Sequence, residues 1–89
     1  MKTIRQTTSF NKDLKRMSRR NKDLRKIYFI VEKLVKGERL EKQFLAHKLT
    51  GNYSDKWEAH VDPDWLLIYE VLGDIIVLYR TGSHADLFA

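Results

Sequence analysis

Apolar positions in the chain recur first at helical spacing and then at strand spacing. Phe10, Leu14 and Met17 follow at i, i+4 and i+7, one stripe of an amphipathic helix. Thr8 or Ser9 stands where a side-chain oxygen can accept from the free amides of the first turn. The stretch "SRRN" breaks the stripe, and Asn21 is placed to cap a second helix. There Leu24, Ile27, Tyr28, Val31, Leu34 and Val35 recur at three- and four-residue steps, and Gly37 sits where a helix C-terminus favours glycine. The two segments predict an αα-hairpin, apolar inside and basic outside.

Strand signals flank the hairpin. Residues 2–7, "KTIRQT", alternate around Ile4 and read as a short strand. Residues 38–56 are irregular and read as a loop with room for one helical turn. The period then changes to two: Trp57, Ala59 and Val61 alternate with Glu58 and His60. "DPD" signals a turn, with Pro63 fixing φ. Residues 65–72, "WLLIYEVL", are nearly continuously apolar, as in a central strand covered on both faces. Gly73-Asp74 is a two-residue hairpin turn, and residues 75–81 form the return strand. The expected order is β-α-α-β-β-β. That is one α+β domain over residues 1–89, with a helical hairpin on a mostly antiparallel four-stranded sheet.

Register arithmetic adds a consequence. A two-residue turn at Gly73-Asp74 pairs Leu72 with Ile75 and hence Leu67 with Arg80, and paired residues share a face. A four-residue turn before it would pair His60 with Trp65, putting His60, Trp65, Leu67 and Arg80 on one face. A three-residue turn would put His60 on the other face.

Composition narrows the classes. Aliphatic and aromatic residues make up 43% of the chain, enough to fold. There is no cysteine, hence neither a disulfide framework nor a thiolate metal site. No apolar run approaches the roughly 18 residues of a membrane span, and "MKTIRQTTSF" lacks the apolar core of a signal peptide. A cytoplasmic protein without a membrane partner is expected. The formal charge is +5, and twelve of the 17 Lys and Arg residues lie in residues 2–36 against Asp13, Asp23 and Glu32. A basic half suggests a polyanionic partner, nucleic acid or an acidic protein.

Candidate chemistry lies in the other half. His47, His60 and His84 join Asp62, Asp64 and Arg80 near strand ends and the loops beside them, where rigid scaffolds hold reactive groups. Three His and an Asp suggest a hydrolytic metal site, but separations of 13 and 24 residues match no common metal signature. Metal-free RNA cleavage is the other chemistry. RNA supplies its own nucleophile, the 2′-hydroxyl. Histidine can serve as base or acid near neutral pH, and arginine offers a charged fork to phosphate oxygens. Gly82 would let backbone approach a phosphate. Phe88 or Trp65, if exposed, could stack on a base, whereas Leu87 reads as a core plug.

"LTGNYSDKWEAHVDPDWLLIYEV" followed by "RTGSHADLF" resembles the YafQ-type branch of the RelE/ParE toxin superfamily of bacterial toxin–antitoxin pairs. The likeness spans essentially the whole chain. Its specific motifs are H-V-x-P-D-W and R-[TL]-G-[ST]-H-x-x-L-F. The resemblance implies an endoribonuclease that needs no metal or other cofactor, enters the ribosomal A site and cuts mRNA by 2′-hydroxyl attack. It implies His60, Asp64 and His84 in the proton transfers, Arg80 on the phosphate, Phe88 and Trp65 on RNA bases, and His47 near the 2′-hydroxyl or phosphate. It also implies an acidic cognate antitoxin besides ribosome and mRNA. The ParE branch shares the fold but inhibits DNA gyrase by binding. Three histidines and Arg80 favour the nuclease branch, since binding alone needs no proton-transfer groups. The last six residues are then expected to be ordered.

Overall fold

The computed structural model describes residues 1–88, and of Asn52 the backbone alone. Its elements are β1 (Thr3–Gln6), α1 (Thr8–Arg19), α2 (Arg25–Val35), β2 (His47–Lys48), β3 (Trp57–Asp62), β4 (Trp65–Leu72), β5 (Ile75–Gly82) and α3 (His84–Phe88). Short 3₁₀ turns occupy Lys42–Phe44 and Gly51–Tyr53. The α+β class and the helical hairpin are as expected. The sheet has five strands rather than four, in the order β1-β5-β4-β3-β2. The extra strand, β2, is two residues long and pairs only with Trp57 and Glu58. Two residues are too few for periodicity to reveal.

Both helix starts differ from expectation. Thr7, not Thr8 or Ser9, caps α1, its Oγ1 accepting from the Phe10 amide at 3.0 Å. Asn21 does not cap α2. It adopts the left-handed conformation and closes α1: its amide donates to Ser18 O, and that of Lys22 donates to Met17 O. Asp23 accepts from the Arg25 amide instead. Gly37 does end α2 as expected, with φ of 73° and the Glu38 amide returning to Lys33 O.

One core lies between the helices and the sheet. Phe10 and Met17 of α1 and Ile27, Ile30, Val31 and Leu34 of α2 meet Ala59, Val61, Trp65, Leu67, Tyr69, Ile76 and Leu78. Tyr28, counted in the apolar stripe, is half exposed, and Ile30 takes the buried place. A smaller cluster of Leu66, Ile68 and Leu87 covers the other sheet face, so Leu87 is the plug expected of it.

Two irregularities reset the register. The Gly73-Asp74 turn pairs Leu72 with Ile75 as expected, but a bulge at Tyr79 pairs Ile68, not Leu67, with Arg80. A second bulge at Val61, before the two-residue Pro63-Asp64 turn, pairs His60 with Leu66 and Asp62 with Trp65. His60 and Arg80 therefore do share a face, through Leu66 and Ile68. Trp65 and Leu67 lie on the opposite, helix-facing side.

Candidate active site

Glu58 and His60 are two residues apart on β3, so their side chains leave the same sheet face. Glu58 is 5% exposed, and its Oε1 lies 3.2 Å from His60 Nε2 and 3.5 Å from His47 Nε2. β2 exists to make this contact: it pairs His47 directly with Glu58. His47 Nδ1 is 2.7 Å from Leu45 O; a carbonyl only accepts, so that nitrogen carries a proton.

His84 opens α3, directly after Ser83. Ser83 Oγ accepts from the Asp86 amide, while Asp86 Oδ2 accepts from the Ser83 amide, a reciprocal capping box. Arg20 of α1 grips the same Asp86 through both guanidinium nitrogens, at 2.6 and 3.0 Å. These hydrogen bonds hold the Asp86 carboxyl far below the usual carboxylate range. The N-terminal turn of α3 is thus tied to both strand and helix, and His84 stands on it.

Asp64, in the β3–β4 turn, accepts from the His84 amide at 3.0 Å and lies 2.6 Å from His84 Nδ1. The backbone bond first, and the ring bond second, push the Asp64 carboxyl below its ordinary value. An ionised carboxylate must accept, so His84 Nδ1 carries the proton and Nε2 is left to act. The His60 and His84 ring centres are 6.0 Å apart, and the row continues from His47 at one end, 6.3 Å from His60, to Phe88 at the other, 6.3 Å from His84. Phe88 is 47% exposed and stands edge-on to Tyr53, at 5.5 Å between centres.

Arg80 borders this face, but its charge is engaged. β1 stops at Gln6, so the β5 edge beyond Leu78 is open. There the guanidinium meets Asp13 of α1, Nε at 2.6 Å from Oδ2 and Nη2 at 3.2 Å from Oδ1. Asp13 also accepts from the Thr81 amide and from Arg16.

Of the expected site residues, His47, His60, Asp64, His84 and Phe88 converge, and Arg80 flanks them. Trp65 does not join: it is 1% exposed, and its indole Nε1 donates to Thr81 Oγ1 within the core. A buried ring cannot stack on a base. Glu58 and Asp13 were missed. Their signals were the Glu-x-His spacing on a strand, and an acid inside the Phe10–Met17 apolar stripe. Among the described residues no group of three or more His, Asp or Glu side chains is arranged to hold a metal ion.

Known proteins share this fold. A family model for the bacterial toxin of type II toxin–antitoxin systems, YafQ, matches residues 2–89. The mRNA interferase toxin YafQ of Escherichia coli (strain K12) is 34% identical over 86 residues, which cover 96% of this chain and 94% of that one. YafQ in a crystal structure of the E. coli DinJ–YafQ complex superposes with a TM-score of 0.93, at 32% identity and full coverage of both chains. A metal-bound toxin from Helicobacter pylori superposes at 0.92, with 36% identity over 99% of this chain and all of that one. The fold is that of a small toxin from a bacterial toxin–antitoxin pair. The chain belongs to the YafQ family of type II toxins.

Proposed function

We propose that this protein is an endoribonuclease, an mRNA interferase that cuts messages in the ribosomal A site without a metal ion. It is held in check in the bacterial cytoplasm by a cognate antitoxin. One observation carries the reading: His60 and His84 stand 6.0 Å apart, each against its own carboxylate, Glu58 and Asp64. Paired imidazoles suit a reaction that removes one proton and delivers another.

In that reaction a 2′-hydroxyl loses its proton and attacks the adjacent phosphorus. The bond to the 5′-oxygen breaks, that oxygen gains a proton, and a cyclic phosphate remains. His60 and His84 divide these two transfers. Asp64, ionised at neutral pH, orients His84 and stabilises its charged form rather than acting as an acid. His47, joined to His60 through Glu58, holds the 2′-hydroxyl or the phosphate. Arg80 stabilises the charge building on the phosphate oxygens, and Phe88 packs on a base.

The basic half divides the same way. Arg16, Arg20, Arg25, Lys26, Lys33 and Lys36 are in ion pairs within the chain. Arg5, Lys12, Lys15, Arg19 and Lys22 are exposed and, among the described residues, have no such pair, while Lys2 Nζ donates to Gly73 O. These five are the ones left for ribosomal RNA phosphates. The antitoxin reading is supported by the DinJ–YafQ complex of the relative.

The test is cleavage of a message on programmed ribosomes, with mapped 5′ ends, repeated in excess EDTA and with His84→Ala. Cutting that survives EDTA and vanishes in the variant is expected. Equal cutting by wild type and variant would refute the reading, and loss on chelation would refute its metal-free part.

A further inference from the structure

β2 leaves the outer edge of β3 uncovered beyond Glu58. The turn at Lys42–Phe44 hangs beside that edge, and between them lies an open cleft of about 470 Å³. Gln43, Phe44 and Leu45 line one side, and His60, Val61, Asp62 and Pro63 the other. The bulged residue Val61 itself lines the cleft.

Leu45 is the unusual wall. It adopts the left-handed conformation, φ 49° and ψ 41°, which a branched aliphatic side chain disfavours. Its side chain is left 59% exposed, while its carbonyl bonds His47 Nδ1. The strained residue thus ties the cleft wall to the histidine row, and strain of this kind is typically retained where it is used.

We propose that this cleft is the subsite for the base of a nucleotide adjoining the scissile phosphate, an inference that rests on the ribonuclease reading. His60 belongs to both cleft and catalytic row, so RNA cut at His60 has its neighbouring nucleotide at the cleft mouth. Leu45 and Pro63 present apolar surface to a flat ring. Among the described residues no Lys or Arg lines the cleft, and the bordering Lys26 is paired with Asp62 at 3.0 Å. That disposition favours a neutral base over a phosphate. Gln43 is exposed and offers a donor and an acceptor in one plane, the pattern that reads a base edge. Gln43 is therefore the specificity-determining residue.

The experiment maps cuts on a ribosome-bound message sampling all bases around the cut, using wild type, Gln43→Ala and Leu45→Asn. Asparagine tolerates the left-handed backbone, so the second variant removes only the apolar wall. Both should melt as wild type does. Wild type should prefer one base beside the cut, and Gln43→Ala should flatten that preference by about tenfold. Leu45→Asn should raise KM with little change in kcat. No preference in wild type, or an unchanged preference and KM in the variants, would overturn the subsite. So would weakened antitoxin binding with unchanged cutting, which would assign the cleft to a protein. If wild type cuts nothing, the ribonuclease reading itself fails and takes the subsite with it.

Discussion

Arg80 Nε lies 2.6 Å from Oδ2 of Asp13, a carboxylate that is itself 2% exposed. Asp13 also bonds the Thr81 amide, so one acid fixes both the side chain and the backbone at the end of β5. The hydrogen bond to Asp13 raises the Arg80 pKa further, which leaves its charge permanent. Removing Asp13 would leave a cation without its partner and a buried amide unsatisfied. Asp13→Ala should therefore cost about 3 kcal/mol or more, the scale for breaking a buried pair. A urea unfolding series checks this, and a loss below about 1 kcal/mol would show that the pair is not structural.

The same pair changes what Arg80→Ala reports. The substitution removes one of the two cations that hold Asp13, leaving only Arg16, so lost activity would mix chemistry with folding. His84→Ala is cleaner, because His84 is exposed and bonds only Asp64. Cleavage should fall by at least about 10²-fold with an unchanged melting midpoint. Single-turnover rates on programmed ribosomes measure it.

The α3 clasp should show a pH signature. The folded Asp86 carboxyl titrates well below its unfolded value of about 3.9. A depressed carboxyl contributes stability in full above the unfolded value and loses it as pH falls toward the folded one. Wild type should therefore melt above Asp86→Asn between pH 5 and 7, and the gap between the two midpoints should begin to narrow near pH 4 and go on narrowing as pH falls further. Midpoints differing equally at every pH would remove the clasp from the account.

Gly82 is required for space. A Cβ there would sit 2.9 Å from Asp86 Oδ2, which the Ser83 amide and Arg20 already hold. Gly82→Ala should displace the carboxylate and cost roughly 1–3 kcal/mol, as overpacking does. It should also lower cleavage, because His84 follows two residues later. Calorimetry beside the cleavage assay tests both effects.

Phe88→Ala should separate binding from folding. The ring is half exposed and touches His84 and Tyr53. The loss of one base-stacking contact is on the order of 1–3 kcal/mol, visible as a raised KM at an unchanged melting point. Leu87→Ala is the contrast: it opens the smaller core and should lower the melting point.

The α+β class, the hairpin and the three long strands were legible because each rests on a period that several residues repeat. Register was not. One bulge at Tyr79 and another at Val61 each shift pairing by one residue, and neither position carries a residue type that announces a bulge. The shared face of His60 and Arg80 survived, through different partners, while Trp65 fell to the core. The histidines were legible as a set because their chemistry is rare in a short chain. Glu58 and Asp13 read as ordinary surface acids, since sequence does not show that β2 and β5 will bury them. The expected ordered end holds for His84–Phe88; Ala89 lies outside the described residues.

β1 pairs in parallel with β5, so the first and last strands of the chain lie side by side. Among the described residues, β5 is also the only bridge between β1 and the rest of the sheet. The sheet therefore closes only after the final strand has been synthesised. Arg80, His84 and Phe88 come later than nearly everything else. On the proposed function, a nascent copy still lacking β5 and α3 has no assembled site, so it is harmless to the ribosome translating it.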